Sequence, residues 1–325
     1  MDVLDCRKNA KLLLTCGFLH FNMKGEVEIE LFCTAGRDGQ LLCILRGEMG
    51  LSASLVKRLK KQNAIFVENE PAWTDRLVRK GEVVRVVIWE ALPDFPLEKG
   101  QLDVLYEDEA ILAVDKPAGV WVHPTPGRQT GTLANRVAYY LRNEGSSVHV
   151  VTRLDRDTFG VVLFAKNGFV HAQLSRMLQQ GGMEKCYHAV VCGLPEQREG
   201  VIDLPIARRT GGSLLREVRS NGQSAVTCYH VVSTSGGLSL LALKPETGRT
   251  HQLRVHCAAI GCPILGDRAY GNNASAALSD GFGITTQQLC AVSLRFAHPL
   301  SGEPLTISSQ QSPIFPKLTV ETSEN

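Results

Sequence analysis

The chain has 325 residues, of which 44% are hydrophobic and 21% charged, with a formal net charge of +2. That length holds more than one domain with a large core, and the composition excludes a disordered or fibrous chain. It also excludes a molecule that is basic overall, so a surface for nucleic acid has to be local. Ten cysteines, at positions 6, 16, 33, 43, 186, 192, 228, 257, 262 and 290, form no CxxC pair and no zinc-spaced Cys/His cluster. They read as small buried residues of a reducing, cytoplasmic compartment, without structural disulfides. No apolar run reaches bilayer-spanning length, so no membrane partner is expected.

In chain order, "KLLLTCGFLHF" at residues 11–21 is the one hint of a secretory segment. It is short, contains Thr15 and His20 and lacks a small-x-small site after it. Residues 1–25 are read as a disordered or misassigned N-terminal extension. The first unit covers residues 26–90. "VEIELFC" alternates as a strand, and "GRDGQLLCILRGEMG" starts with turn residues and becomes a short helix. "LSASLVKRLKKQNA" is a second helix, capped by Ser52 or Ser54. Its apolar stripe is Leu55, Val56 and Leu59, with Lys57, Arg58, Lys60 and Lys61 mostly on the other side. "AIFVENEPAWTDRLVRKGEVVRVVIW" is strand, turn and strand. A charge run on a helix is usually a solvated face, whereas as a binding face it would neutralise phosphates and release counterions.

Residues 91–100, with Pro93, Pro96 and Gly100, form a linker. Residues 101–325 are one α+β domain. Strand signals recur at "DVLYED", "AILAVDKP", "VVLFAK", "CYHAVVCG", "SAVTCYHVV", "LSLLALKP" and "LRFAHP". Helix signals recur at "TLANRVAYYLR", "NGFVHAQLSRMLQQGG" and "THQLRVHCAAIG", two of them ending in glycine. Strands outnumber helices and do not alternate strictly with them, which predicts a mixed, largely antiparallel sheet.

Four segments of this domain carry polar groups in an apolar setting. "VDKPAGVWVHP" has a Lys-Pro-x-Gly turn from which Lys116 and His123 would face a substrate, unless Lys116 is an ordinary surface lysine. "VVTRLDRDTFGVVLFAKN" interrupts a buried strand with Arg153, Asp155, Arg156 and Asp157. The bland reading of this cluster is a hairpin turn. The sharper one gives a carboxylate chemistry to do, with Arg153 pointing the same way as Asp155 because they are two apart. "EKCYHAVVCG" places Tyr187 within a strand, where a core aromatic is the commoner case. "LKPETGRTHQLRVHCAAIGCPILGDRAYG" turns at Thr247-Gly248 and puts Arg249, His251, Arg254 and His256 on a helix. Arg249 and Arg254 are five apart and would serve different partners.

In this order, "KPAG", "RLDRDTFGVVLFAK", "KCYHAVVCG" and "KPETGRTHQLRVH", continued by "PILGDRAYG" and "LRFAHPLSGEP", resemble the RluA family of RNA pseudouridine synthases. The resemblance covers residues 101–303. The unit at 26–90 resembles the ribosomal protein S4-like RNA-binding domain, a small α/β fold common in front of this catalytic domain. It has an "ENEP" turn where that domain more often has Asn-Gly. The resemblance implies the pseudouridine synthase fold and isomerisation of uridine in ribosomal or transfer RNA, the base being flipped out of its stack because the glycosidic bond is otherwise inaccessible.

Asp155 matches the catalytic aspartate, which either attacks the anomeric carbon or takes a proton from the neighbouring sugar carbon. Either role needs the ionised carboxylate, and Arg254 is the candidate guanidinium beside it. Tyr187 matches the active-site tyrosine, which stacks on uracil and removes the final proton from ring carbon five. Arg153 fills the space left by the flipped nucleotide. Lys116, His123, Arg249 and His251 are candidate substrate contacts, and Lys57, Arg58, Lys60 and Lys61 candidate RNA contacts. No cofactor and no metal are implied, and a monomer is the default. Three positions depart from the family pattern: Thr152 and Cys290 where His is more usual, and Phe159 where Ser or Thr is. The first and third leave open an inactive relative acting as an RNA-binding or ribosome-assembly factor.

Overall fold

A computed structural model describes residues 12–21, 26–144, 146–210 and 214–316. The N-terminal elements are β1 (Leu12–Phe21), β2 (Glu26–Thr34), β3 (Gly39–Gln40), α1 (Leu41–Cys43) running into a wider helical turn at Ile44–Glu48, α2 (Ala53–Lys61), β4 (Ile65–Val67), β5 (Glu70–Pro71), β6 (Leu77–Val78) and β7 (Val83–Ala91). Five of these strands form an antiparallel sheet in the order β1-β2-β7-β4-β5. Val27, Ile29, Leu31 and Cys33 of β2 are buried in alternation, the period of a strand with one face on a core. Ser52 caps α2 by accepting the Leu55 N–H, and the helix buries Val56 and Leu59. Lys57, Arg58, Lys60 and Lys61 are left exposed. The tight turn between β4 and β5 has Glu68 and Asn69 at φ 51° and 67°, the left-handed pair that a two-residue hairpin requires, reached here without glycine.

Part of the 1–25 extension corrects the sequence reading. Residues Leu12–Phe21 form a strand paired with β2, because a β-prone apolar run beside a sheet edge satisfies its backbone by extending the ladder. The rest of that segment lies outside the described residues.

The second unit contains β8 (Val104–Glu107), β9 (Ile111–Lys116), α3 (Leu133–Tyr140), β10 (His149–Val150), β11 (Phe159–Ala165), α4 (Gly168–Gln179), β12 (Met183–Cys192), β13 (Glu199–Asp203), β14 (Ile206–Arg208), β15 (Arg216–Val218), β16 (Val226–Ser235), β17 (Leu238–Pro245), α5 (Gln252–Ala259), α6 (Asn273–Gly281), β18 (Leu289–Ala297) and β19 (Pro304–Ser308). Its sheet runs β13-β16-β17-β12-β18-β11-β9-β8, with β10 on β11 and β19 on β18. Every described pairing is antiparallel except β11 with β18. The expected α+β class with a largely antiparallel sheet is the observed one. All seven residues of β11 are buried, so the strand that follows the charged loop runs through the core.

One apolar cluster extends from Leu45, Met49 and Val87 into Phe169, Val170 and Leu174 of α4. A polar link crosses the same junction: Glu90 accepts the Gly168 N–H at 2.8 Å and meets His149 Nε2 at 2.5 Å. No helix among the described residues is long and apolar enough to cross a membrane.

Candidate active site

The charged loop spans residues 151–158, between β10 and β11. Its base is closed by Val151 N–H donating to Leu163 O at 2.9 Å. The two buried threonines hold its ends. Thr152 Oγ1 accepts the Leu163 N–H at 2.9 Å, and Thr158 Oγ1 accepts from Gln287 Nε2 at 2.5 Å. Thr152 therefore has a defined task, and Phe159 packs into the core at 7% exposure. Cys290 is also buried, on β18 opposite Phe159. All three departures from the family pattern are accommodated without disturbing the loop.

Gly160, the second residue of β11, has φ 106°, and a Cβ there would lie 2.3 Å from Ala291 O of the neighbouring strand. Gly160→Ala should therefore cost roughly 3 kcal/mol or more, from strain and overlap together. A denaturant midpoint within error of wild type would show that β11 and β18 are not that close.

Lys116 does not face a substrate, contrary to the sequence reading. It is 0% exposed, and its ammonium donates to Pro117 O, Val120 O and Arg156 O at 2.9, 2.8 and 2.7 Å. Three N–H groups meet three carbonyls, tying the Lys-Pro-x-Gly turn to the charged loop. The Lys-Pro-x-Gly pattern fits this clamp as well as it fits a substrate contact, so sequence alone did not separate them. Lys116→Met would remove the shared donor of three part-buried carbonyls, and about 3 kcal/mol of stability should go with the three hydrogen bonds. Activity of the remaining folded protein should fall too, because the Arg156 carbonyl is released. Unchanged melting would refute the clamp. His123 is exposed and packs beside Phe95, ring centroids 6.1 Å apart, with no described contact to the charged loop.

The loop presents Asp155, whose side chain is 27% exposed, to Arg254 on α5. Arg254 Nη1 donates to Asp155 Oδ2 at 3.1 Å. The rest of the guanidinium is gripped bidentately by Asp267, Nε to Oδ2 at 2.7 Å and Nη2 to Oδ1 at 2.9 Å. Asp267 is 1% exposed and Arg254 12%. Asp267 Oδ1 also accepts the backbone N–H of Ala269 at 3.0 Å and Tyr270 at 3.3 Å, which fixes its carboxylate. Burial works against the charge on Arg254, but its two carboxylates outweigh burial and hold it above the ordinary arginine value. The Tyr270 ring lies 4.8 Å under the guanidinium.

Helix α5 starts at Gln252, so Arg249 and His251 precede it rather than lying on it. His251 is its N-cap in the left-handed region, φ 57°, a strained position for a residue with a side chain. Tyr270 Oη accepts the Arg216 N–H at 2.8 Å and so has its own proton for His251 Nδ1, at 2.6 Å. The ring proton of neutral His251 is then on Nε2, 3.9 Å from Asp155 Oδ2. Burial pulls the His251 pKa down, Asp155 opposes it, and Arg254 and Arg216 add to the depression.

Tyr187 lies on β12 directly after a register shift at Cys186/Tyr187 and is half-buried. Burial first and the Asp155 charge second push its phenol well up. Its hydroxyl has no partner among the described residues. Arg153 is exposed without an ion pair among the described residues, while Arg156 and Asp157 pair with each other through two contacts of 2.9 and 2.8 Å. Arg249 donates from Nε to Ser224 O at 3.0 Å. His256 is buried between Thr227 Oγ1 and Leu204 O, both at 3.0 Å, as a structural bridge. Asp267 and Tyr270 were missed as individual residues. The signal available was the acid in "PILGDRAYG", isolated within an apolar run that follows the arginine helix.

Residues 110–259 match the family of RNA pseudouridylate synthases. The chain is similar to an uncharacterized RNA pseudouridine synthase of Bacillus subtilis, 35% identical over 288 residues that cover 87% of this chain and 93% of the relative. It is also similar to the ribosomal large subunit pseudouridine synthase D of Pasteurella multocida, 36% identical over 78% of this chain and 81% of the relative. In three dimensions it is similar to the human RNA pseudouridylate synthase domain containing 4 protein, with a TM-score of 0.53 and 26% identity over 63% of this chain and 87% of the other. With a buried Arg–Asp pair holding a part-exposed aspartate at the centre of a matching fold, the chain belongs to the RNA pseudouridine synthases, the isomerases that convert uridine in RNA to pseudouridine.

Proposed function

We propose that this isomerase acts on uridines of structured ribosomal or transfer RNA in the cytoplasm, with Asp155 as the reacting carboxylate. The observation that supports this most is the arrangement around Asp155: one oxygen bound to Arg254, and the side chain still open to solvent on the loop. A carboxylate held this way is oriented, charged and reachable, as either attack on the anomeric carbon or proton removal from the neighbouring sugar carbon requires. The target base must leave its stack to get there. Arg153, free of carboxylate partners among the described residues, takes the space the base vacates. Tyr187 stays protonated at neutral pH, so its ring stacks on the uracil and its hydroxyl relays a proton rather than acting as phenolate. His251 donates through Nε2 toward Asp155 or the sugar.

The residues 26–90 serve as an S4-like RNA-binding domain. On α2, Lys57, Arg58, Lys60 and Lys61 share the exposed side with no ion pair among the described residues, as a phosphate-facing helix would be. The reaction is tested by release of tritium from RNA labelled at carbon five of uridine. Reversing the four α2 charges to Glu should weaken RNA affinity by roughly 10²-fold or more and flatten its salt dependence, leaving single-turnover conversion at saturating RNA close to wild type. Unchanged affinity would remove α2 from the RNA surface.

A further inference from the structure

No acidic residue occurs between Asp115 and Glu144, and the segment between them carries Trp121 and Arg128, neither of which the chemistry at Asp155 uses. Trp121 is 41% exposed while its neighbour Val122 is only 4% exposed, so the chain turns the aliphatic side chain into the core and the indole outward. A lone exposed aromatic needs no explanation. Three further observations set this one apart. Its backbone is fixed: Trp121 O accepts the Leu133 N–H at 2.8 Å and Val122 O the Ala134 N–H at 2.9 Å, both from the first turn of α3. A cation stands over it, the Arg128 guanidinium lying 5.9 Å from the ring centroid. That is the outer limit of a cation–π contact, so the guanidinium is not committed to the ring. Arg128 is exposed and has no ion pair among the described residues. The carboxylate that reaches this segment, Glu98, accepts the Gly131 N–H at 2.5 Å.

The third observation is position. Lys116 Nζ donates to Val120 O at 2.8 Å and to Arg156 O at 2.7 Å. Val120 precedes Trp121 and Arg156 follows Asp155, so one ammonium ties the chain beside the indole to the chain beside the reacting carboxylate. The two carbonyl oxygens are no further apart than those two hydrogen bonds laid end to end. We propose that Trp121 and Arg128 form a stacking platform for RNA, the indole taking the face of an unpaired base next to the flipped uridine and Arg128 pairing with the adjoining phosphate. An indole offers a flat π surface to any base, and a guanidinium beside it neutralises phosphate without a rival carboxylate. Flipping the uridine takes a stacking partner from its neighbour, which regains one on Trp121. The platform therefore selects by strand state rather than by sequence, favouring a uridine with an unpaired neighbour over one inside a continuous duplex. The proposal rests on the reading of the chain as an RNA isomerase.

The test uses the full chain carrying Asp155→Asn, so that binding is read without turnover. The probes are an RNA hairpin with a uridine loop and the same strand annealed to its complement. Trp121→Ala should weaken hairpin binding roughly tenfold or more, with duplex affinity and the slope of log affinity against log salt little changed. Trp121→Phe keeps a ring and should stay within about threefold. Arg128→Gln should instead make the hairpin slope shallower by about 0.7. Hairpin addition should quench tryptophan emission, and Trp121→Phe, which leaves Trp73 and Trp89 in place, should lose most of that quench. In the otherwise wild-type protein, Trp121→Ala should raise KM by more than it lowers kcat, because the stack forms on binding and persists through the reaction. A folded Trp121→Ala protein with wild-type hairpin affinity would overturn the platform. So would equal losses on hairpin and duplex, which would make Trp121 a general support of the binding surface. A wild-type protein that converts no uridine, yet loses hairpin affinity and quench in these variants, would instead sink the isomerase reading and leave the platform standing.

Discussion

Asp155→Asn is expected to lower uridine conversion by at least roughly 10³-fold, as removal of a reacting group does. The fold should survive it. Asn has the same shape, and the amide oxygen still accepts from Arg254 Nη1, now 3.1 Å from Asp155 Oδ2. Arg254 also keeps both hydrogen bonds to Asp267. What disappears is the charge needed either to attack carbon or to take a proton from it. With Asp155 part-exposed, the lost ion pair should cost stability no more than about 1 kcal/mol. Single-turnover conversion and a denaturant melt on the same preparation separate the two effects. An Asn variant that converts uridine at the wild-type rate would exclude Asp155 as the reacting group.

Asp267→Ala is expected to behave differently, losing roughly 3 kcal/mol or more of stability because it leaves the Arg254 charge largely buried without its fork partner. It should also reduce conversion by roughly 10²-fold in the protein that remains folded, since a guanidinium no longer aimed by Asp267 no longer aims Asp155. Arg254→Lys tests the same geometry from the other side. An ammonium keeps the charge but cannot bridge Asp267 bidentately and reach Asp155 from a planar frame. Its conversion should fall further than its stability. If Asp267→Ala were fully active and as stable as wild type, the orientation of Asp155 would not depend on this pair.

The sheet was legible in the sequence where strands are continuous apolar or alternating runs, as in β9, β11, β12, β16, β17 and β18. The ribbon β14–β15 was not, because its strands are three residues each and rich in arginine, without a period to read. Helix α6 was hidden for a related reason: "NASAALSDG" has no apolar stripe, and its start is set by the Asn272–Ser275 capping box. In the site, Asp155 and Arg254 stand out because charges in an apolar setting need a reason. Lys116 stood out in the same way and was assigned to substrate, whereas its partners are backbone carbonyls, which no residue pattern announces. Asp267 was passed over because its partner is thirteen residues away across a turn, a distance set by tertiary structure rather than by helix or strand spacing. Thr152 and Phe159 motivated an inactive alternative. Their hydrogen bond and packing now account for them as parts of the loop's support.

The most direct measurement is a nucleotide-resolution map of pseudouridine in total cellular RNA treated with purified wild-type protein or with Asp155→Asn. The account predicts new pseudouridine at discrete uridines with the wild-type protein and none at those positions with the variant. Discrete sites appearing equally with both proteins, or with neither, would contradict it.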